Sequence, residues 1–302
     1  MNNTDMRVCI AGVSLKNPVT TASGTFSAKD SSKFYDISRL GAVITKGVAS
    51  VPWQGNPTPR VAETYGGMLN AVGLQNPGVD SYIKDELAFL RDFDVPVIAN
   101  AVGKNIDEYC EVVEKLNDSD VAMIEVNISC PNVKEGGISF GTKAKTAAEL
   151  TKQVKKISKK PLILKLSPNV SDITEIAVAV ESEGADCISL INTLTGMKID
   201  VYTKKPVLAN ITGGLSGPAI KPIALRMVYQ VRKAVKVPII GLGGIQTGED
   251  AAEFLIAGAD AISVGTAALV DPTAPVRIID ELGEFMEKQG YKNIGELKEE
   301  RF

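Results

Sequence analysis

Eight short apolar runs, separated by segments with helical spacing, constrain the fold of this 302-residue chain more than any other feature. Each run is continuously apolar, as in strands that are covered on both faces of a parallel sheet. The runs occupy residues 19–22, 42–46, 97–101, 122–128, 162–166, 187–192, 238–243 and 261–265. Helical spacing of apolar residues occurs near 78–92, 105–117, 146–158, 172–183, 218–235, 249–257 and 273–289. The repetition predicts an α/β fold, a closed (β/α)8 TIM barrel. An open doubly wound sheet is the alternative, which the even repetition disfavours.

Start and stop signals mark the ends of several helices. Thr247 followed by Asp250 resembles a helix N-cap with an acid three residues later, and Ser171-Asp172 opens another helix. Two helices end in the same Gly-Ala-Asp triplet, at 184–186 and 258–260, which leads directly into a strand. A repeated βα unit needs such a glycine just past each helix.

Three stretches exceed what a barrel requires. Residues 6–18 are interpreted as an N-terminal hairpin that plugs the bottom of the barrel. The connections at about 47–76 and 194–216 are long inserted loops, and we expect them to be structureless and functional. In this fold they lie at the C-terminal face, where active sites are found. We assign residues 1–302 to a single barrel domain.

The charge and hydropathy of the chain argue against nucleic acid and membrane as binding partners. The net charge of −3 and the pI near 5.3 provide no overall attraction to nucleic acid or to an acidic membrane surface. No window approaches the roughly 20 apolar residues of a membrane helix. The polar start of the chain lacks the features of a signal peptide. These patterns favour a cytoplasmic protein that binds neither nucleic acid nor membrane.

The four cysteines are widely scattered and form no Cys-x-x-Cys pair. Their spacing argues against a disulfide framework, a metal site or an iron–sulfur cluster held by this chain alone. Cys9, Cys110 and Cys187 lie in apolar or helical runs and are expected to be small core residues.

The fourth cysteine, Cys130, is the candidate catalytic residue. The chain contains no histidine, which is the usual proton-transfer residue near neutral pH. Acid–base chemistry must therefore use a cysteine, lysine, carboxylate or tyrosine. Cys130 lies within Asn-Ile-Ser-Cys-Pro-Asn at 127–132, after a strand and before a glycine-rich loop. A thiol serves as a base if its surroundings favour the thiolate.

Polar residues or glycines stand where all eight predicted strands stop, a coincidence that turn formation alone explains poorly. They are Ser23, Gly24, Lys46, Asn100, Asn127, Cys130, Lys165, Asn192, Thr193, Gly243, Gly244, Gly265 and Thr266. The glycines after the last two strands let backbone N–H groups approach a phosphate, and the helix N-termini that follow add partial positive charge. This end of the barrel is therefore predicted to bind a phosphate-bearing ligand.

Lys165 lies within an apolar run, where an unpaired ammonium group is costly. It is either paired with a barrel carboxylate or held as a cation near developing negative charge, and we favour the second interpretation. The same two interpretations apply to Lys46, at the end of the second run.

Over essentially its whole length, the sequence resembles the FMN-containing class 1 dihydroorotate dehydrogenases. The resemblance rests on motifs at the strand ends and in the long loops. These motifs occupy residues 17–19, 21–26, 45–47, 55–60, 70–78, 127–132, 165–168, 192–193 and 241–244.

The resemblance implies two sets of binding residues. The substrate residues are Lys46, Asn70, Ala71, Val72, Gly73, Leu74, Asn127, Asn192 and Thr193. The FMN residues are Ser23, Lys46, Gly47, Asn100, Asn127, Lys165, Ile191, Gly217, Gly243, Gly244, Gly265 and Thr266. Asparagine amides suit the imide edges of a pyrimidine because they both donate and accept hydrogen bonds. Lys46 would offset the substrate carboxylate, and Lys165 would stabilise the reduced flavin.

The resemblance also implies the reaction. Cys130 would take a proton from C5 of (S)-dihydroorotate and the flavin N5 a hydride from C6, which gives orotate for UMP biosynthesis. Gly136-Gly137 implies a flexible lid that excludes water once the substrate is bound.

Within the family, residues 21–26 and 68–73 resemble the NAD-linked B-type more than the fumarate-linked A-type. The cysteine, and the lack of an N-terminal extension, distinguish the chain from quinone-linked members. The B-type resemblance implies an electron-transfer subunit with FAD and a [2Fe–2S] cluster. It also implies a homodimeric core within a heterotetramer.

Several other functions remain as alternatives. They are an A-type enzyme, an FMN-dependent RNA dihydrouridine synthase, a Schiff-base aldolase that uses Lys165, and a non-catalytic phosphate-binding barrel. A dihydropyrimidine-dehydrogenase-like substrate is a close chemical neighbour. The net charge weighs against an RNA enzyme, and a non-catalytic barrel leaves the long loops unexplained.

Overall fold

The computed structural model describes residues 4–129 and 140–299. Within these ranges, eight parallel strands form one sheet. They are numbered in chain order as β1 (Val19–Thr21), β2 (Val43–Ile44), β3 (Val97–Ala101), β4 (Met123–Asn127), β5 (Leu162–Lys165), β6 (Cys187–Leu190), β7 (Ile239–Leu242) and β8 (Ala261–Val264). Each strand from β2 onward pairs with the next, and β8 pairs with β1. The predicted (β/α)8 barrel is confirmed.

The barrel closes between β1 and β2 by a sparse set of contacts. An isolated parallel bridge joins Thr20 to Ala42. The Thr21 hydroxyl accepts a hydrogen bond from the Ile44 N–H at 2.9 Å and donates one to the Ile44 carbonyl at 3.1 Å. One side chain thus joins the two strands where the backbone ladder is missing.

Helices follow the strands and cover the outside of the sheet. The α-helices of the described residues are Ala28–Ser31, Val79–Tyr82, Ala88–Leu90, Ile106–Asn117, Ala144–Ile157, Ile173–Ser182, Lys221–Ala234, Gly248–Ala257, Thr266–Val270, Ala274–Gln289 and Ile294–Glu299. A π-helical turn, Ile83–Leu87, joins the second to the third, and 3-10 turns occur at Ile37–Arg39, Phe140–Thr142 and Pro218–Ile220. All seven predicted helical segments are confirmed. Among the residues described, no helix combines the length and the apolar character that a bilayer crossing requires.

The N-terminal hairpin pairs Val8–Ile10 with Val13–Leu15. Ile10 and Leu15 are fully buried and pack against the first inward-facing residues of the barrel strands, such as Met123 and Ala261. The predicted plug is confirmed, and it fills the end at which the strands begin.

The three remaining cysteines occupy three different environments. Cys187 is buried at the start of β6, as predicted, and Cys110 is half-buried. The prediction of a core position for Cys9 is wrong, because Cys9 is exposed. It sits between Val8 and Ile10 in a strand, so its side chain points away from the plug.

The two long connections are not structureless, which corrects that prediction. They supply a four-stranded antiparallel sheet in the order Leu194–Met197, Thr212–Ser216, Gly67–Asn70, Val61–Thr64. A small hairpin, Ile199–Asp200 with Lys205–Pro206, extends the second connection. The central pairing sets Gly214 opposite Asn70, and such a distant partner leaves no local pattern in either segment.

The residues that mark helix ends in the sequence form helix caps and hydrogen bonds between neighbouring βα units. Thr247 and Asp250 form the predicted reciprocal cap, and Asp172 caps the helix that follows it. In the two Gly-Ala-Asp triplets, Asp186 accepts a hydrogen bond from the Leu162 N–H and Asp260 accepts one from the Ile239 N–H, each at 2.8 Å. Each aspartate therefore ties its own βα unit to the start of an adjacent strand.

Candidate active site

A cavity of about 460 Å³ opens where the barrel strands end. The long connections roof it, so that residues far apart in the sequence face one another. The predicted residues that line it are Ser23, Lys46, Gly47, Asn70, Val72, Gly73, Leu74, Asn127, Lys165, Ile191, Asn192, Thr193, Gly217, Gly243, Gly244, Gly265 and Thr266.

Ala71 and Asn100 do not belong to the lining. Ala71 is buried with Leu69 and Leu208 beneath the antiparallel sheet. Asn100 lies behind Gly47, where an added Cβ on the glycine would come within 2.7 Å of the Asn100 Oδ1. That oxygen is buried and has no hydrogen-bond partner among the residues that the structure describes.

A buried carboxylate, Glu125, lies directly below Lys165. The Lys165 Nζ is 3.5 Å from the Glu125 Oε1, and the two side chains are 5% and 0% exposed. Asn100 Nδ2 donates to the same Oε1 at 2.6 Å, and the Ser189 hydroxyl donates to Oε2 at 2.8 Å. Lys165 is therefore both paired with a barrel carboxylate and part of the cavity lining, so the two interpretations of the sequence are not exclusive.

Sequence reasoning missed Glu125. The available signal was its position two residues before Asn127 on the same strand, because alternate residues of a strand share a face. Register places Glu125 opposite Asn100, and Lys165 opposite both Asn127 and Ser189. Asn100, Glu125, Asn127, Lys165 and Ser189 form a polar layer inside the barrel. Strand pairing creates this layer, so no single strand of the sequence reveals it.

Asn127 is held in place by hydrogen bonds on both its side chain and its backbone. Its Oδ1 accepts from the Ser129 N–H at 3.2 Å, from the Ser129 hydroxyl at 2.7 Å and from the Asn192 Nδ2 at 3.4 Å. The Tyr109 hydroxyl donates to the Asn127 carbonyl at 2.6 Å. With Oδ1 occupied as an acceptor, the Nδ2 of Asn127 is the atom left to donate to a ligand.

Lys46 brings a second cation to the cavity, in a different environment. An added Cβ on Gly24 would lie 3.6 Å from its Nζ, and no carboxylate of the described residues lies within 4 Å. Burial lowers the pKa of Lys46, and the charge of Glu86 opposes that shift. Burial in turn raises the pKa of Glu86, which lies in the π-helical turn. Lys46 is thus poised to gain from an anionic ligand.

Part of the cavity lining is built from glycines. Gly217, Gly243 and Gly244 have φ values of +100°, +127° and +84°. An added Cβ on Gly244 would come within 2.8 Å of the Lys221 N and 2.9 Å of the Gly217 O. The Thr266 hydroxyl donates to the Ser216 hydroxyl at 2.8 Å beside them. Backbone can approach a ligand closely here, as a phosphate requires.

The antiparallel sheet supplies an outer wall that sequence reasoning did not foresee. Val61, Met68, Thr195 and Thr212 line the cavity from this sheet. The described residues contain no cluster of three or more side chains suited to hold a metal ion.

Cys130 and Gly136-Gly137 lie outside the described residues, and their predicted roles stay predictions. The residues on either side are well anchored. Ser129 is buried, and the Gly141 N–H donates to the Ile128 carbonyl at 2.8 Å. Asn127 and Ser129, which precede Cys130, are therefore fixed at the edge of the cavity.

Comparison with known proteins agrees with the resemblance noted in the sequence. The family model for dihydroorotate dehydrogenase matches residues 5–286. The chain is 58% identical over 298 residues to the "Dihydroorotate dehydrogenase B (NAD(+)), catalytic subunit" of Alkaliphilus oremlandii, which covers 98% of this chain and 99% of that protein. A protein of the same name from Lachnoclostridium phytofermentans is 60% identical over 291 residues, 96% of this chain and 97% of its own. The chain belongs to the dihydroorotate dehydrogenase family.

Proposed function

We propose that this chain oxidises (S)-dihydroorotate to orotate in UMP biosynthesis, with FMN bound in the cavity. The observation that carries the proposal is the meeting of Lys46, Lys165, Asn127 and Asn192 around one cavity. Relatives that match nearly the whole chain carry the corresponding name.

The residues of the cavity fit FMN. The glycines Gly217, Gly243 and Gly244 line the cavity together with Thr266, so backbone N–H groups can approach a phosphate there. Lys165 supplies a buried cation, which suits a cofactor that gains negative charge on reduction. The lining residues proposed to hold FMN are Ser23, Lys46, Gly47, Asn127, Lys165, Ile191, Gly217, Gly243, Gly244, Gly265 and Thr266, with Asn100 placed behind Gly47. Bound FMN supplies the hydride acceptor of the reaction.

The substrate is proposed to lie between the asparagines and Lys46. The Lys46 ammonium offsets the substrate carboxylate, an interaction that is strong because the lysine is partly removed from water. The amides of Asn70, Asn127 and Asn192 bind the polar edges of the pyrimidine ring. Backbone groups of 72–74 and the side chain of Thr193 complete the proposed substrate site.

Cys130 is proposed as the base. Its thiolate takes the proton from C5 as C6 loses a hydride, so that the electrons of the C5–H bond form the C5=C6 double bond of orotate. The residues just before it are held in place, since Asn127 and Ser129 share two hydrogen bonds. A glycine-rich lid at 136–137 is proposed to exclude water during this step.

A partner subunit is proposed to complete the enzyme. The relatives are named as catalytic subunits of NAD-linked enzymes, which favours the B-type over the fumarate-linked alternative. We infer that electrons pass from FMN to a subunit with FAD and a [2Fe–2S] cluster, and then to NAD. Two copies of this chain would form the core of the heterotetramer.

The flavin half-reaction is tested by adding dihydroorotate to the purified chain without oxygen. The flavin absorbance is expected to bleach. Cys130→Ala should retain flavin, yet bleach about 100- to 10,000-fold more slowly, since it lacks the base. Undiminished bleaching in Cys130→Ala would refute the base assignment, and a chain without flavin would refute the proposed reaction.

The partner is tested separately. The isolated chain should reduce a dye with dihydroorotate but should not reduce NAD at a comparable rate. Rapid NAD reduction by the isolated chain would contradict the need for a second subunit.

A further inference from the structure

Glu125 has no part in the proposed reaction, yet the barrel buries its side chain completely. It is the charged member of a strand whose neighbours Ile124 and Val126 pack outward into the core. Both of its oxygens are engaged, Oε1 by Asn100 and Oε2 by Ser189. An apolar residue in its place would avoid the cost of removing a charge from water. Its presence therefore calls for a reason other than packing.

The geometry places Glu125 behind Lys165 as seen from the cavity. Lys165 lines the cavity, whereas Glu125 is absent from the lining. The 3.5 Å separation of their charged atoms leaves the ammonium free to direct other N–H groups toward a ligand. The two opposite charges thus act on the cavity together, in surroundings that screen them poorly.

We propose that Glu125 is a positioning residue that sets the electrostatic potential at the flavin by compensating the charge of Lys165. Asn100 and Ser189 each donate one hydrogen bond to the carboxylate, whose negative charge lies 3.5 Å from the ammonium. This inference rests on the proposed function, because it requires that FMN occupies the cavity. It adds a residue that neither contacts the substrate nor lines the site.

Glu125→Gln tests the proposal with nearly unchanged shape. The glutamine oxygen still accepts one hydrogen bond, but Lys165 then stands uncompensated. The added positive charge favours the reduced flavin, which carries the additional electrons. At a fixed potential, the ratio of reduced to oxidised flavin is expected to rise at least about tenfold, equivalent to about 30 mV for a two-electron couple.

The measurement is equilibration of the bound flavin with a reference dye of known potential, followed by absorbance. Two variants serve as matched controls. Glu125→Asp keeps the charge, and Ser189→Ala removes one neutral donor to the same carboxylate, so both should stay within threefold of the wild type. A Glu125→Gln ratio within threefold of wild type overturns the inference, as does a Ser189→Ala shift equal to that of Glu125→Gln.

A second measurement covers the case in which Glu125→Gln does not hold flavin. Lys165→Met leaves Glu125 buried without its cation, which is strongly destabilising. The double variant Glu125→Gln/Lys165→Met carries neither charge and should unfold at a higher temperature than Lys165→Met. A double variant that is no more stable would overturn the compensation.

Failure of the inference is distinguishable from failure of the proposed function. A wild-type chain that binds flavin and is bleached by dihydroorotate, with no shift in Glu125→Gln, overturns the inference alone. A wild-type chain that binds no flavin overturns both.

Discussion

At the scale of single residues, the cavity contains two lysines that differ in burial and in the distance to a negative charge. Lys165 is almost fully buried and has Glu125 as a counter-charge at 3.5 Å. Lys46 is less deeply buried and relies on the more distant charge of Glu86. An anionic ligand therefore relieves Lys46 more than Lys165. This difference supports the proposal that the substrate carboxylate lies at Lys46.

Orotate binding should depend on pH through Lys46. Burial lowers the pKa of Lys46, so the free protein loses this positive charge at a lower pH than an exposed lysine does. The dissociation constant for orotate is expected to be flat near neutral pH. Above the lowered pKa it should rise by up to about tenfold per pH unit, because only the protonated form attracts the anion.

The control is Lys46→Met, which retains Cys130 and Glu86. It should bind orotate weakly and report any pH dependence that arises from other groups or from the ligand. Flavin fluorescence titrations across the pH range would provide both profiles. Parallel profiles in the two proteins would contradict the assignment.

Part of the site could be predicted from residues alone. Lys165 and Asn127 were visible because a polar residue at the end of an apolar strand needs an explanation. Glu125 was not, because its partners Asn100 and Ser189 lie on other strands and only pairing brings them together. The position of Gly217 in the cavity lining was implied by the family resemblance, because no local sequence pattern indicates it.

At the scale of elements, turns and caps do much of the positioning. The strands and helices could be predicted, since continuous apolar runs and helical spacing are local properties. The antiparallel roof could not, because Gly67–Asn70 finds its partner in Thr212–Ser216, far along the chain. The glycines of this roof indicate loops in the sequence. In the structure, Gly214 lies in a strand beside Thr193, and an added Cβ on Gly214 would come within 2.0 Å of the Thr193 hydroxyl oxygen.

Gly244→Ala and Gly290→Ala should separate two costs of adding a methyl group. Both glycines have a φ of +84°, but a Cβ on Gly290 meets nothing within 4 Å. Gly290→Ala should therefore lose only the conformational cost, about 1–2 kcal/mol, and keep its flavin. Gly244→Ala should lose more stability and weaken FMN binding by about tenfold or more, or about 1.4 kcal/mol.

Urea denaturation and flavin dissociation measure the two effects independently. If Gly244→Ala bound FMN as tightly as Gly290→Ala does, the glycine turn would not be the phosphate site.

At the scale of the whole molecule, the barrel divides into two ends. The end at which the strands begin is filled by the hairpin and by an apolar cluster with Ile10 and Leu15. The end at which they stop carries the polar layer and the cavity. Stability and ligand binding are therefore placed apart, as is usual in this fold.

Leu15→Ala should lower stability without altering the site. Leu15 is 1% exposed, so its truncation should cost about 2–5 kcal/mol of unfolding free energy. The folded fraction should bind FMN and react with dihydroorotate as the wild type does. Cys9→Ala, on the exposed face of the same hairpin, should change stability by no more than about 0.5 kcal/mol.

Urea denaturation and flavin reduction at low temperature would measure both properties. A change in the reaction rate of folded Leu15→Ala would show that the two ends are coupled.

The junction between β1 and β2 is the place where the barrel wall depends on a side chain. Seven of the junctions are backbone ladders, whereas at this one the Thr21 hydroxyl exchanges both hydrogen bonds with Ile44. Valine has the same outline as threonine but can neither donate nor accept. The Thr21 hydroxyl thus supplements the single Thr20–Ala42 bridge at this junction. Amide hydrogens of the strands on either side are where solvent exchange would first reveal the loss of that hydroxyl.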